Sequence, residues 1–298
     1  MKELKEKSLG IALIMQALLY CLQSLLISVV ASALGEYAAY TVSCVGAVFV
    51  FGLPIVVYIK LSDADPKAIF KLGMTEHRTR NSSKCETAML FAFAFAMTVT
   101  AVNAFGMLTE LVMSLLGKEQ AQTVPADPVI LAFTFIRSVL LAAILEEILF
   151  RGAVFDAIDG RKPSVRVVIS ALLFALMHYN LSQFFYAFAA GAVIALFAYI
   201  TGSLRFAISV HLAQNLVTFI FSVLSLKLGA GIYATVSLIA FIVFAAVAFF
   251  GAIYLIYGAI KRKNTEISAP EKAQNEKMTI STLVLYIVIA ALITVLNF

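Results

Sequence analysis

Long apolar runs, separated by short polar stretches, set the organisation of the chain. Nine of them read as membrane-spanning helices: 9–34, 40–59, 88–116, 129–150 and onward, 165–178, 183–201, 204–226, 231–259 and 279–297. A spanning helix needs about 20 mostly apolar residues. The fifth run is short of that, and the ninth stands apart behind the polar linker KRKNTEISAPEKAQNEK. The pattern predicts an all-α fold, a polytopic transmembrane helix bundle with about 8–9 transmembrane helices. Residues 1–298 read as a single membrane domain, with N-terminal transmembrane helices in 1–128, a core in 129–226 and C-terminal transmembrane helices in 227–298. The largest polar loop, 60–87, contains DPKAIFKLGM, a candidate short helix at the membrane interface. The first run, which follows MKELKEK, spans about 25 residues against about 7–15 for a signal-peptide core. It reads as a retained helix, with cleavage as the alternative.

Composition supports this reading. Of 298 residues, 62% are hydrophobic and 13% charged, and the mean hydropathy is +0.98. Soluble domains carry about 25% charged residues, so this chain has too little polar surface to cover a globule in water. Charge placement fixes an orientation. With the N-terminus cytoplasmic, 19 of the 22 Lys and Arg fall in inside segments, two (Lys118 and Lys227) fall outside, and Arg137 lies within a span. Such asymmetry is the positive-inside signal. No basic stripe with interleaved aromatics is present, so nucleic acid is not an expected partner. Cys21, Cys44 and Cys85 are scattered without CxxC spacing, which argues against a disulfide or cysteine metal site. No internal repeat of Gly/Pro-broken helices suggests a secondary transporter.

Three polar clusters interrupt the apolar background: Glu146, Glu147 and Arg151 in LEEILFRG; His178 in FALMH, with Phe174 one turn before it; and His211 with Asn215 in HLAQN. Glu147 and Arg151 are four apart and share a helix face, so they can pair. Glu146 is turned by about 100° and looks elsewhere. Ionisable groups inside a membrane are costly and default to function. The plainer alternatives are a folding device for the Glu147–Arg151 pair and interhelical hydrogen bonding for either histidine. The depths agree only if the fourth helix continues through RGAVFDAI to about Ile158, with Pro163 opening the fifth. His77 reads as a solvated loop residue, Arg137 as a snorkelling or pairing residue, and Asp156 and Asp159 as solvated or paired with nearby bases.

Hydrolysis of a peptide bond needs an activated water and donors for the oxyanion. A buried glutamate and a histidine can supply the first, and a second histidine with an asparagine amide the second. A zinc ion held by Glu146, His178 and His211 is the other arrangement these residues allow. The HExxH motif of soluble zinc proteases is missing, and a three-histidine site would require His77 to fold back.

EExxxR, FxxxH and HxxxN, in that order on successive membrane helices, resemble the CPBP family of intramembrane proteases. This family includes the CAAX prenyl endopeptidases of the Rce type and bacterial bacteriocin-processing or Abi-like immunity proteins. The resemblance covers about 129–226, which would make that segment a catalytic CPBP-like core. It implies that Glu146 is the base polarising water with His178, that Glu147 and Arg151 support it, that His211 and Asn215 form the oxyanion site, and that Phe174 packs the site. It leaves zinc or no metal open. The implied partners are the lipid bilayer and a membrane-associated peptide or protein substrate, prenylated or not. The implied location is integral to the membrane, the plasma membrane, with the N-terminus cytoplasmic. A proton-coupled transporter, or a non-catalytic immunity or scaffold protein, is the rival reading of the same clusters.

Overall fold

The structure, a computed structural model, describes residues 2–71, 83–118, 125–265 and 281–296. His77 and most of the linker before the last helix lie outside the described residues. Ten helices run through the described residues, with no strand among them: α1 Lys2–Leu34, α2 Glu36–Ser62, α3 Pro66–Lys71, α4 Lys84–Leu115, α5 Pro128–Ala157, α6 Pro163–Leu176, α7 Leu181–Thr201, α8 Leu204–Lys227, α9 Ala230–Thr265 and α10 Ser281–Leu296. The molecule is thus an all-α polytopic bundle. Seven helices, α1, α2, α4, α5 and α7–α9, are long and apolar enough to cross a membrane. The fifth and ninth expected spans are the shorter helices α6 and α10, of 14 and 16 residues.

Local sequence sets the helix ends. Asp127 caps α5, its carboxylate accepting from the backbone N–H of Val129 and Ile130 at 2.8 and 3.0 Å, with Pro128 at the first helical position. The Ile130 N–H bond holds the Asp127 carboxyl below the usual carboxylate range. Ser83, Asn180 and Ser203 cap α4, α7 and α8 in the same manner. Gly202, in the left-handed region at φ 62°, ends α7. Each long helix satisfies its own backbone, a necessity in lipid.

The fourth span, α5, runs on past Phe150 to Ala157. It is the centre of the bundle and packs against α1, α2, α3, α6 and α8. α1 packs along α2 and α10, while α7 lies between α4 and α6, and α9 covers α4. The short helix α3, expected within the loop 60–87, is seated on the bundle through one residue. Its Ile69 is fully buried against Gly152 of α5, where an added Cβ would stand 2.8 Å from Ile69 Cγ2 and 3.1 Å from the Ile69 carbonyl oxygen. The phenylalanines of α4 pack inward and sideways, Phe91 on Phe206, Phe93 on Tyr254 and Phe95 on Phe244.

Candidate active site

α5 is not a uniform α-helix. Two π-helical segments, Phe135–Leu141 and Ile148–Ala153, flank the α-helical Ala142–Glu147 that carries the glutamate pair. Such wider turns are uncommon and concentrate at functional sites. They shift the glutamates relative to the rest of the helix, and no feature of the sequence announces them.

Glu147 and Arg151 are both fully buried and joined by a 2.9 Å ion pair, Arg151 Nη1 to Glu147 Oε1. Arg151 Nη2 donates to the Gly191 carbonyl of α7 at 2.9 Å, and its guanidinium lies 4.7 Å from the Phe174 ring centroid. Gly191 is required there, because a Cβ would stand 2.9 Å from the Phe174 ring. Glu147 Oε1 also accepts from His211 Nδ1 at 2.8 Å. A carboxylate paired with arginine has no proton to give, so Nδ1 carries the hydrogen. This bond turns His211 Nε2 towards Glu146, 4.0 Å from its Oε2 and beyond hydrogen-bond range.

His178 sits just beyond α6, on the turn that follows Leu176. Its backbone N–H bonds the Ala175 carbonyl at 3.2 Å instead of closing an α-helical turn on Phe174. The Phe174 carbonyl, orphaned at the helix end, accepts from His178 Nδ1 at 2.9 Å. The carbonyl cannot donate, so Nδ1 again holds the hydrogen and Nε2 is left over. Phe174 makes edge-on contacts with both imidazoles, at centroid distances of 5.2 Å to His178 and 5.7 Å to His211. One ring thus seats both histidines and Arg151. Asn215, one turn after His211, donates from Nδ2 to the Ser138 carbonyl of the first π segment at 2.8 Å, using one of its two N–H groups.

Glu146 differs from its neighbour. Its side chain is only 12% exposed, and it makes no hydrogen bond to any described residue. The structure therefore gathers Glu146, Glu147, Arg151 and His211 into one cluster, with Phe174 bridging to His178 and Asn215 fastened at its rim.

Several residues around this cluster carried no sequence signal. Tyr179, next to His178, is fully buried in the left-handed region at φ 49°, an uncommon conformation for a bulky residue. Its hydroxyl bonds Gln16 Oε1 of α1 at 2.5 Å, and its ring lies 4.6 Å from that of Tyr20. Helix α1 thereby braces the turn that presents His178. Only Tyr179's adjacency to His178 could have drawn attention to it.

Both histidines offer Nε2 with Nδ1–H anchored, the way metal-ligating histidines are usually held. Yet among the described residues no three His, Cys, Asp or Glu side chains are grouped so as to hold a metal ion together. The described residues do not make up a zinc site.

The geometry can be set beside known proteins. Searches of curated proteins and of solved structures each gave no significant match. A family model, described as type II CAAX prenyl endopeptidase Rce1-like, matches residues 128–217. The match begins at the first residue of α5 and ends two residues past Asn215, so it contains all three motifs. Over residues 128–217 the chain is thus similar to this Rce1-like CAAX protease family.

Proposed function

We propose that the chain is an intramembrane endopeptidase that hydrolyses a peptide bond with a water activated by Glu146 and His178. The observation that supports it most is the contrast within the glutamate pair. Glu147 is tied to Arg151 and His211, while Glu146, nearly as buried, has no hydrogen-bond partner of its own. A buried carboxylate without donors is expensive, and a water there offsets that cost.

The chemistry follows from the donor set. Glu146 takes a proton from the water as its oxygen attacks the scissile carbonyl carbon, and His178 Nε2 accepts a hydrogen bond from the same water. The carbonyl π pair moves to oxygen. His211, held through Nδ1 by Glu147, turns Nε2 to that oxyanion and donates to it once that nitrogen carries a proton, and the second Asn215 N–H adds to it. The tetrahedral species collapses as Glu146 passes the proton to the leaving nitrogen, giving a carboxylic acid and an amine. Arg151 offsets the Glu147 charge, and Glu147 holds the imidazole ring in register. None of these steps passes through a metal.

The substrate class follows the family: a membrane-associated peptide of the CAAX type, with its prenylated cysteine in lipid. In this reading the N-terminus and the site's opening face the cytoplasmic side of the plasma membrane, and the positive-inside charge supports that orientation of the N-terminus. The test is cleavage of an S-farnesylated CAAX peptide by the purified full chain in nanodiscs, with Glu146→Ala, His178→Ala and His211→Ala alongside. Each substitution is expected to reduce the rate at least about 100-fold, and a chelator to leave the wild-type rate unchanged. Wild-type rates in all three variants would refute the proposal, and loss of activity with chelator would refute its metal-free form.

A further inference from the structure

Tyr179, directly after His178, holds a left-handed backbone at φ 49°. Glycine, asparagine and aspartate enter that region readily, whereas a bulky side chain does so against steric resistance. Such a conformation persists where the surroundings dictate it. The backbone around it is tight as well. The N–H groups of His178 and Tyr179 bond the Ala175 and Leu176 carbonyls at 3.2 and 3.1 Å, and Asn180 then caps α7.

The seat of the side chain dictates this conformation. Tyr179 is fully buried, and its hydroxyl donates to Oε1 of Gln16, a fully buried residue of α1, at 2.5 Å. Tyr20, also on α1, lies against the ring with 4.6 Å between centroids. A third helix contributes Tyr286 of α10. It is fully buried in the same core cluster, and its hydroxyl lies beside that of Tyr179 without closing a well-formed hydrogen bond. Both α1 and α10 lie outside residues 128–217. The neighbouring imidazole has a different anchor, since His178 Nδ1 bonds the Phe174 carbonyl of α6 at 2.9 Å. The side chains of 178 and 179 are thus fastened to different helices, with one peptide unit between them. Rotating that unit would disturb both.

We infer that Tyr179 is a positioning residue for the candidate site. Its bond to Gln16 holds the turn in the geometry that keeps His178 Nδ1 on the Phe174 carbonyl and leaves Nε2 available. The inference rests on the proposed protease reading only for what Nε2 then does, which is to accept from the attacking water. Residues 128–217 are then not a sufficient catalytic unit, because His178 is held in place from α1.

The test reads the His178 ring directly. Freed from the Phe174 carbonyl, a neutral imidazole populates both tautomers. Solid-state nitrogen NMR of the histidine-labelled full chain in bilayers reports which ring nitrogen carries hydrogen, and His178→Gln identifies the signals of His178. The main variant is Tyr179→Phe with Gln16→Leu. It replaces both partners of the buried bond by apolar groups of similar shape, which leaves stability near wild type. In wild type, His178 is expected to show the Nδ1–H form alone. In the double variant it shows both forms at an unchanged melting temperature, while His211, held through Nδ1 by Glu147, keeps its wild-type signal. On an S-farnesylated CAAX peptide, kcat falls at least about tenfold with KM unchanged. A merely structural bond would return rate and tautomer together with stability. Tyr179→Phe and Gln16→Leu are read singly in the same way. A wild-type His178 signal in any folded variant overturns the inference, and so does failure of all three to fold, which would make the bond a requirement of folding alone. A shifted His178 tautomer beside a wild-type chain that cleaves nothing keeps the positioning and removes the protease.

Discussion

α5 carries charge at two places, and the two are built differently. At its C-terminal end Asp156 accepts from Lys5 at 2.8 Å and from Tyr58 at 2.6 Å. Beside it Arg161 pairs with Glu6 at 2.5 Å, while Arg166 bonds Asp159 at 3.0 Å and the Phe155 carbonyl at 2.9 Å. These bonds tie the start of α1, the C-terminal end of α2 and the start of α6 to the end of α5. In the middle of the helix, by contrast, Glu147 Oε1 is shared by Arg151 and His211, while Glu146 and the Nε2 atoms of both histidines have no hydrogen-bond partner among the described residues. Carboxylates that each meet a cation mark a fastening, and a buried carboxylate left outside the hydrogen bonding beside a paired one marks a candidate site. Counting charges would not separate the two.

That contrast can be broken at either end. The largest effect is expected at Arg151→Ala, which strands the fully buried Glu147 carboxylate and the Gly191 carbonyl. Removing one partner of a buried pair costs about 3–5 kcal/mol, to be read as a loss of denaturant resistance in detergent or nanodiscs. Arg151→Lys is expected to recover only part of it, because an ammonium does not reproduce the two-pronged contact. A smaller loss, about 1–3 kcal/mol, is expected for Asp156→Asn, which keeps an acceptor for Tyr58 but gives up the charge facing Lys5. Raising salt should narrow the gap from wild type, since Lys5 is 22% exposed. At the bottom of the scale, the solvent-facing pair Lys7–Glu3, with side chains 50% and 64% exposed, is expected to contribute nothing detectable. Glu3→Gln should leave the melting temperature unchanged. A large loss there, or none at Arg151, would collapse the distinction.

What could be read from the sequence follows from how far each relation reaches along the chain. Helical spacing put Glu147 and Arg151 on one face, and the ion pair between them forms. The depth argument required α5 to extend past Phe150, and it runs to Ala157. Asp156 and Asp159 were expected to be solvated or paired with nearby bases, and both are paired. Relations between distant segments were not legible. The hydrogen bond from His211 to Glu147 joins residues 64 apart, and it gives Glu147 a second role that the helical pattern alone did not contain. Tyr179 and Gln16, 163 residues apart, look like ordinary members of apolar runs. The π turns at Phe135–Leu141 and Ile148–Ala153 leave no trace in the composition of those segments. The helix placed by periodicity as the fifth span ends at Leu176, so His178 belongs to a turn and not to the helix. That shift frees the Phe174 carbonyl for its imidazole.

The most direct measurement is the single-turnover cleavage rate of an S-farnesylated CAAX peptide by Glu146→Gln, taken with the variant's unfolding curve. Glu146 has no protein hydrogen bond to lose, so the fold should be as stable as wild type while the rate falls at least about 1,000-fold. Cleavage at the wild-type rate by a folded Glu146→Gln chain would contradict the account.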